Sequence, residues 1–411
     1  MRRITPALVR KLGIAWAVFL LTLVVHATAA WADNAAAQPS NAASTPTVSV
    51  QQAANEQLDH LPIQSITRFW DALQQEYGGY LPDASGTSLV RDILDNGGIN
   101  LHGMVQGVIQ YLLDTLIDNA RLLGGILVLS VLAAVLESLQ GAFEQQTVSQ
   151  VAYAMIFLVL MVLAIGSFTE AIGTARHAIQ SMNDFMLATV PLMTGLLAAS
   201  GAVASAAFFN PVVMVAVEVV SNLVFLVVFP LIFFSAVLDI ASALSPRYQL
   251  TRLAGLLRSG GVAVLGLGLS AFLGVTAVLG AGRGIADGVS LRVIKFGVGT
   301  FVPVVGKAVA DATETIASAS LLVKNAVGIG GLVIVACLAL FPALKILALS
   351  LIYNGGAALM QPLGDTPLIA CLGALGKSLL LVFASVAAVA LMFFIFICIL
   401  LASANLAVVM G

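Results

Sequence analysis

The chain has 411 residues, 60% of them hydrophobic and only 9% charged, with a formal net charge of −2 and a mean hydropathy of +1.04. Several uncharged runs approach the roughly 20 residues that cross a hydrocarbon core, so the composition implies a polytopic, all-α membrane protein. The runs are continuous and rich in Leu, Ala and Val rather than short and alternating, which argues against an outer-membrane barrel.

Residues 1–32 carry Arg2, Arg3, Arg10 and Lys11 ahead of an apolar run from Leu12 to Val25, followed by small residues. This is the pattern of a secretory signal peptide, with Ala30-Trp31-Ala32 as the first cleavage motif and Ala27-Thr28-Ala29 as the second. Cleaved or retained as an anchor, it would place the residues after it outside the cytoplasm. Residues 33–63, rich in Ala, Gln, Ser, Thr, Asn and Pro without a period, read as a disordered linker.

Residues 64–121 read as extracytoplasmic amphipathic helices. In the first, Ile66, Phe69, Trp70, Leu73 and Tyr77 recur at helical spacing, and Gly78-Gly79 stops the helix. A second starts near Thr87 with Leu89, Val90, Ile93 and Leu94 on one face. A third, about 100–121, sets Val105, Val108, Ile109, Leu112, Leu113, Leu116 and Ile117 against Gln106, Gln110, Asp114, Asp118 and Arg121, as in a helix lying on a membrane or a partner. Asp33 to Arg121 holds ten acids and three arginines. Anionic lipid repels such a segment, so its apolar faces are expected to meet a protein partner or the chain's own helices. Phe69, Trp70, Tyr77 and Tyr80 are the candidate partner contacts.

Residues 122–411 read as the membrane domain, with about seven transmembrane helices at 122–139, 151–168, 185–208, 212–238, 259–281, 326–352 and 378–402. Pro191, Pro211, Pro230 and Pro342 predict kinks whose freed backbone groups neighbouring helices or water must satisfy. Gly266, Ser270 and Gly274 form a small-residue stripe suited to close helix packing, or one that chance gives in an Ala- and Gly-rich helix. Orientation stays open: five Lys or Arg fall in 282–325 and five others (Arg176, Arg247, Arg252, Arg258, Lys377) in the opposite loops. A re-entrant pair at 185–208 would resolve that balance.

Ionisable groups inside apolar runs are costly and mark candidate sites. Glu218 lies mid-span with Asn222 one turn on, and Lys345 follows Pro342 by three residues. A Glu218–Lys345 pair would offset the burial of both. Alternatively Lys345 snorkels, Glu218 is buried as the neutral acid, or either lines a polar cavity. The second candidate is the stretch 282–331, where Gly297, Gly299, Pro303 and Gly306 interrupt an apolar run before a helix from Lys307 to Lys324. Lys307 and Asp311 can pair along it. Such interruption suits a broken helix of a transporter or pore, and equally a plain loop on the membrane.

No Walker A sequence, GxSxG or HExxH occurs, and the run around Gly280 to Gly284 follows a membrane helix rather than a strand. The four histidines are scattered. Cys337, Cys371 and Cys398 sit in or beside apolar runs without CxxC spacing and read as buried thiols. The chain is therefore expected to be no enzyme, to hold no metal and no cofactor, and to bind no nucleic acid.

Two blocks resemble the stage III sporulation protein AE family of endospore-forming bacteria. One is FWDALQQEYGGYLPD, Phe69 to Asp83. The other holds Asp287-Gly288-Val289, Lys295-Phe296, Phe301-Val302-Pro303-Val304-Val305-Gly306-Lys307, Asp311-Ala312 and Leu321-Leu322-Val323-Lys324-Asn325-Ala326-Val327-Gly328. The plan of signal peptide, short outside region and about seven helices is also similar. The resemblance implies a permease-like subunit of a sporulation channel complex in the mother-cell membrane around the forespore. It would work with the other subunits, including a separate ATPase, and with a forespore partner. The alternative from another class is an autonomous secondary transporter with a midplane substrate site; a third is a scaffold whose intramembrane charges only specify packing.

Overall fold

A backbone in hydrocarbon has no water to bond, so a chain this apolar is confined to helices or a closed barrel. The computed structural model describes residues 50–410 apart from 62, 97–100, 141–145, 201, 245–249, 282–304 and 364–366. Among the described residues all regular structure is helical. The helices are α1 (Val50–His60), α2 (Gln64–Tyr77), α3 (Gly86–Asn96), α4 (Leu101–Asp118), α5 (Ala120–Gln140), α6 (Gln146–Ala199), α7 (Val203–Leu223), α8 (Phe229–Leu244), α9 (Thr251–Ala281), α10 (Val305–Met360) and α11 (Pro367–Met410). A π-helical turn, Val224–Val228, joins α7 to α8.

The predicted spans are merged rather than separate. Six helical stretches among the described residues are long and apolar enough to cross a membrane: Gly103–Ala133, Ala154–Ala199, Ser205–Ala243, Thr251–Thr276, Ser318–Met360 and Pro367–Ala402. The reading of 151–168 and 185–208 as two elements gives way to one 54-residue helix. The segment between them repeats at helical spacing: Ala171, Ala175, Ala178, Ile179 and Met182 are all buried. The re-entrant pair is likewise absent, because α6 runs through Pro191 and ends at Ala199. Thr194 Oγ1 donates to the carbonyls of Val190 and Pro191 at 3.0 and 3.1 Å, beside the break that Pro191 makes in the bonding ladder.

Pro211 and Pro342 also lie inside continuous helices. Of the four prolines expected to kink the spans, Pro230 alone coincides with a change of helix type. The Phe229 N–H there donates to the Val224 carbonyl, five residues back, and the wider π turn accommodates a residue that offers no N–H.

The core is built on α10 and α11, which pack antiparallel: Lys324 meets Leu401 and Ser350 Oγ meets the Gly376 carbonyl. α6 lies antiparallel along α10, with Phe185 over Gly331 and Glu170 beside Lys345. At 54 and 56 residues, α6 and α10 are about 80 Å long at 1.5 Å per residue, far more than the roughly 30 Å of a hydrocarbon core. Much of each rod therefore stands outside lipid.

The N-terminal helices cover part of those rods. Residues 50–60, which by composition fall in a disordered linker, form α1, because Ala54 and Leu58 bury one turn apart and Gln57 bonds Ser320 of α10 at 2.8 Å. Leu89, Val90 and Ile93 of α3 pack over Gly330. Phe69, Trp70, Tyr77 and Tyr80 turn inward rather than towards a partner. Trp70 is 0% exposed with its indole N–H bonded to the Ala84 carbonyl, Phe69 meets Phe185 edge-on, and Tyr77 stacks on Phe341 at 4.4 Å. Tyr80 packs edge-on against Tyr111 and donates to Asp114 at 3.0 Å. Burial, joined by a hydrogen bond to Glu76, pushes the Tyr77 phenol well above its ordinary range. The apolar side of α4 is split: Tyr111 and Thr115 face in, while Ile109, Leu113 and Ile117 face out.

Trp70→Ala is expected to cost about 3–5 kcal/mol through its cavity. Limited proteolysis should then cleave between α2 and α3 at protease levels that spare the parent chain.

Candidate functional site

Three helices converge where α10 carries Val327, Gly328 and Gly331. A Cβ on Gly328 would press on the side chains of Leu401 of α11 and Met193 of α6, which would have to shift, so glycine gives the closest approach here. A small, partly open apolar chamber at the crossing is lined by Phe185, Thr189, Val190, Gly328 and Leu400 among others.

One turn before Gly328 on α10 stands Lys324, 0% exposed, its Nζ donating to the Leu401 carbonyl at 2.8 Å. No carboxylate among the described residues lies within ion-pairing distance of it. Burying an ammonium without a counter-charge is costly by several kcal/mol, and one neutral carbonyl offsets only part of that. Thr189 Oγ1 on the chamber wall, with Asn183 Oδ1 on α6 and Asn325 Oδ1 on α10, is buried without a hydrogen-bond partner among the described residues. Lys324 and Thr189 are under-satisfied polar groups beside an apolar helix crossing. Such groups can bind and release a polar or charged species, or lock one helix register.

The other predicted site residues disperse. Lys345 pairs with Glu170 of α6 at 3.0 Å, not with Glu218. Glu218 and Asn222 do share a face, 3.4 Å apart, but that face of α7 points out of the bundle, so no cation of the core can reach it. Gly297, Gly299 and Pro303 lie outside the described residues. Gly306, Lys307 and Asp311 belong to the backbone of α10, which continues without a break to Met360. The helix expected from Lys307 to Lys324 and the span expected at 326–352 are one element.

Two charged contacts have no counterpart in the sequence reading. Glu170 falls in 169–184, which resembles a loop by composition; the burial of every third or fourth residue there is the available signal. Arg258 of α9 donates to Asp239 of α8 and, at 3.4 Å, to Ser378 of α11, tying three helices together. Nothing in their spacing, 19 residues apart, announces that pair. Cys337 and Cys371 are buried free thiols and Cys398 is partly buried.

Among known protein families, one described as Stage III sporulation protein AE matches residues 84–404. The chain belongs to the stage III sporulation protein AE family. It is 40% identical over 397 residues to a Bacillus subtilis (strain 168) protein named "Stage III sporulation protein AE", covering 96% of this chain and 98% of that one. No solved structure matches. The buried Lys324 and Gly328 lie within the family match, as do both members of the Glu170–Lys345 and Arg258–Asp239 pairs.

If the Lys345–Glu170 pair fastens α6 to α10, Lys345→Glu and Glu170→Lys should each lower thermal stability in detergent. The double variant should recover most of the loss, and full additivity of the two losses would show the pair to be idle.

Proposed function

We propose that this chain is a non-enzymatic, multipass membrane subunit of a transenvelope channel complex linking mother cell and forespore, needed for late forespore development. The observation that carries the reading is membership, along nearly the whole chain, of a family of stage III sporulation proteins. In this reading the protein sits in the mother-cell membrane surrounding the forespore and works with other subunits, among them a separate ATPase and a forespore partner.

Two features of the molecule support the reading. Helices α6 and α10 are long enough to carry structure well beyond one bilayer, as a component that meets partners across an intermembrane space requires. The N-terminal helices α1 to α3 place their acids outward while closing their apolar faces on the chain's own core, leaving a hydrophilic and negative surface for subunits on that side. Lys324 and the unpartnered Thr189, Asn183 and Asn325 are the groups through which a polar path would run.

The test is deletion of the gene in its native host, with sporulating cells imaged by membrane dye and a late forespore reporter. Forespores should complete engulfment, then shrink and leave the reporter silent; normal spores would overturn the proposal. Complementation with Lys324→Met distinguishes a pathway from a scaffold. The pathway role predicts normal accumulation and assembly with the reporter still silent, whereas a scaffold role predicts lost assembly.

A further inference from the structure

Lipid accommodates an exposed leucine and leaves an exposed carboxamide or carboxylate unsatisfied. On α7 and the π turn after it, Phe208, Val215, Val219, Asn222 and Leu226 share an outward face; Val215 is 63%, Val219 59% and Leu226 74% exposed. With Val212 between the first two, the steps are four, three, four, three and four residues, which is the alternation of a heptad seam. Asn222 sits in the middle of that seam and Glu218 beside it, both exposed.

The outward faces of α9 and of α6 near Thr169 differ. On α9 the exposed Ser259 and Ser270 bond the carbonyls of Gly255 and Gly266 in their own helix, each at 2.8 Å, so that face is complete in lipid. Exposed Thr169 of α6 bonds Ile165, and its neighbour Glu170 has Lys345. Among the described residues Asn222 and Glu218 have only each other, at 3.4 Å, which leaves the Asn222 carbonyl and the second Glu218 oxygen without a partner there.

We propose that this face of α7 packs against α7 of a second copy of the chain, with Asn222 opposite Asn222. Membrane sidedness argues for that occupant. Every copy is inserted the same way, so a rotation axis relating two copies runs along the membrane normal and sets identical helices parallel, with identical residues at one depth. A carboxamide both donates and accepts, so Asn222 is complementary to itself in that geometry, and a single Asn in an apolar seam fixes register and copy number. Interhelical polar bonds of this kind hold membrane helices together where hydrophobic burial gives no advantage over lipid. Such a contact between copies does not depend on the channel reading.

The experiment uses the full chain, co-expressed with two different epitope tags, and oxidative cross-linking in membranes. Val219→Cys and Leu226→Cys lie on the seam; Val162→Cys on α6 and Leu267→Cys on α9 are equally exposed positions away from it. The chain with only its native cysteines sets the baseline. Disulfide-linked species carrying both tags are expected at Val219→Cys and Leu226→Cys, with the two controls at baseline. Equal cross-linking at the controls, linkage only to a different polypeptide, or no linkage at the seam would each overturn the proposal. Asn222→Leu in the Val219→Cys background should lower the two-tag yield roughly three- to tenfold, the worth of one interhelical polar contact. An unchanged yield would remove Asn222 from the interface. The readout needs no sporulating cell, so its failure is separate from failure of the proposed function.

Discussion

The missing side chain of Gly328 is the constraint that sets the rest of the structure. Three long helices meet there, and a side chain on α10 would force those of Leu401 and Met193 aside. Among apolar helices in lipid, close contact rather than hydrophobic burial supplies the attraction, so a glycine at the crossing sets how near α6, α10 and α11 approach. Lys324, one turn away, reaches the Leu401 carbonyl because that approach is close. A wider crossing would leave the ammonium with no acceptor.

Around this crossing the polar groups separate into three kinds. Some tie helices together, as Arg258 does by reaching Asp239 and Ser378 from a third helix. Some are held inside with little compensation, as Lys324, Thr189 and Asn325 are. Others point outward, as Glu218 and Asn222 do. The first kind stabilises one arrangement of the bundle. The second and third are expensive in a lone chain, which is the physical reason to connect them with function and with assembly.

The N-terminal helices solve a different problem. A helix of about 80 Å that leaves the bilayer would expose apolar side chains to water along roughly half its length. α1, α2 and α3 lie over α10 and α6 at Ser320, Gly330, Phe341 and Phe185, with Trp70, Val90 and Ile66 fully buried and the acids of the same helices in solvent. The Tyr77, Tyr111 and Phe341 cluster closes the cover at the edge nearest α4. What resembles a partner-binding face in isolation is the inner side of a cover.

Composition and spacing alone settle the class, the helical character and the N-terminal helices. Long apolar runs admit few solutions in lipid, and the spacing of Ile66, Trp70 and Leu73 or of Leu89, Val90 and Ile93 depends only on the turn of a helix. The blocks around Phe69 and Lys324 also point to the right family. Where helices end and which charges meet is settled only by packing in three dimensions. A polar stretch such as 169–184 is a loop or a helix according to whether Ala171, Ala175 and Ala178 find a neighbour to bury against, and that neighbour, α10, lies far along the chain. Lys345 could pair with Glu170 or Glu218 as far as composition goes. The choice was made by packing, which laid α6 along α10 and turned the Glu218 face of α7 outward. Hydropathy sees how apolar a residue's neighbours in sequence are, whereas a charge is satisfied by neighbours in space.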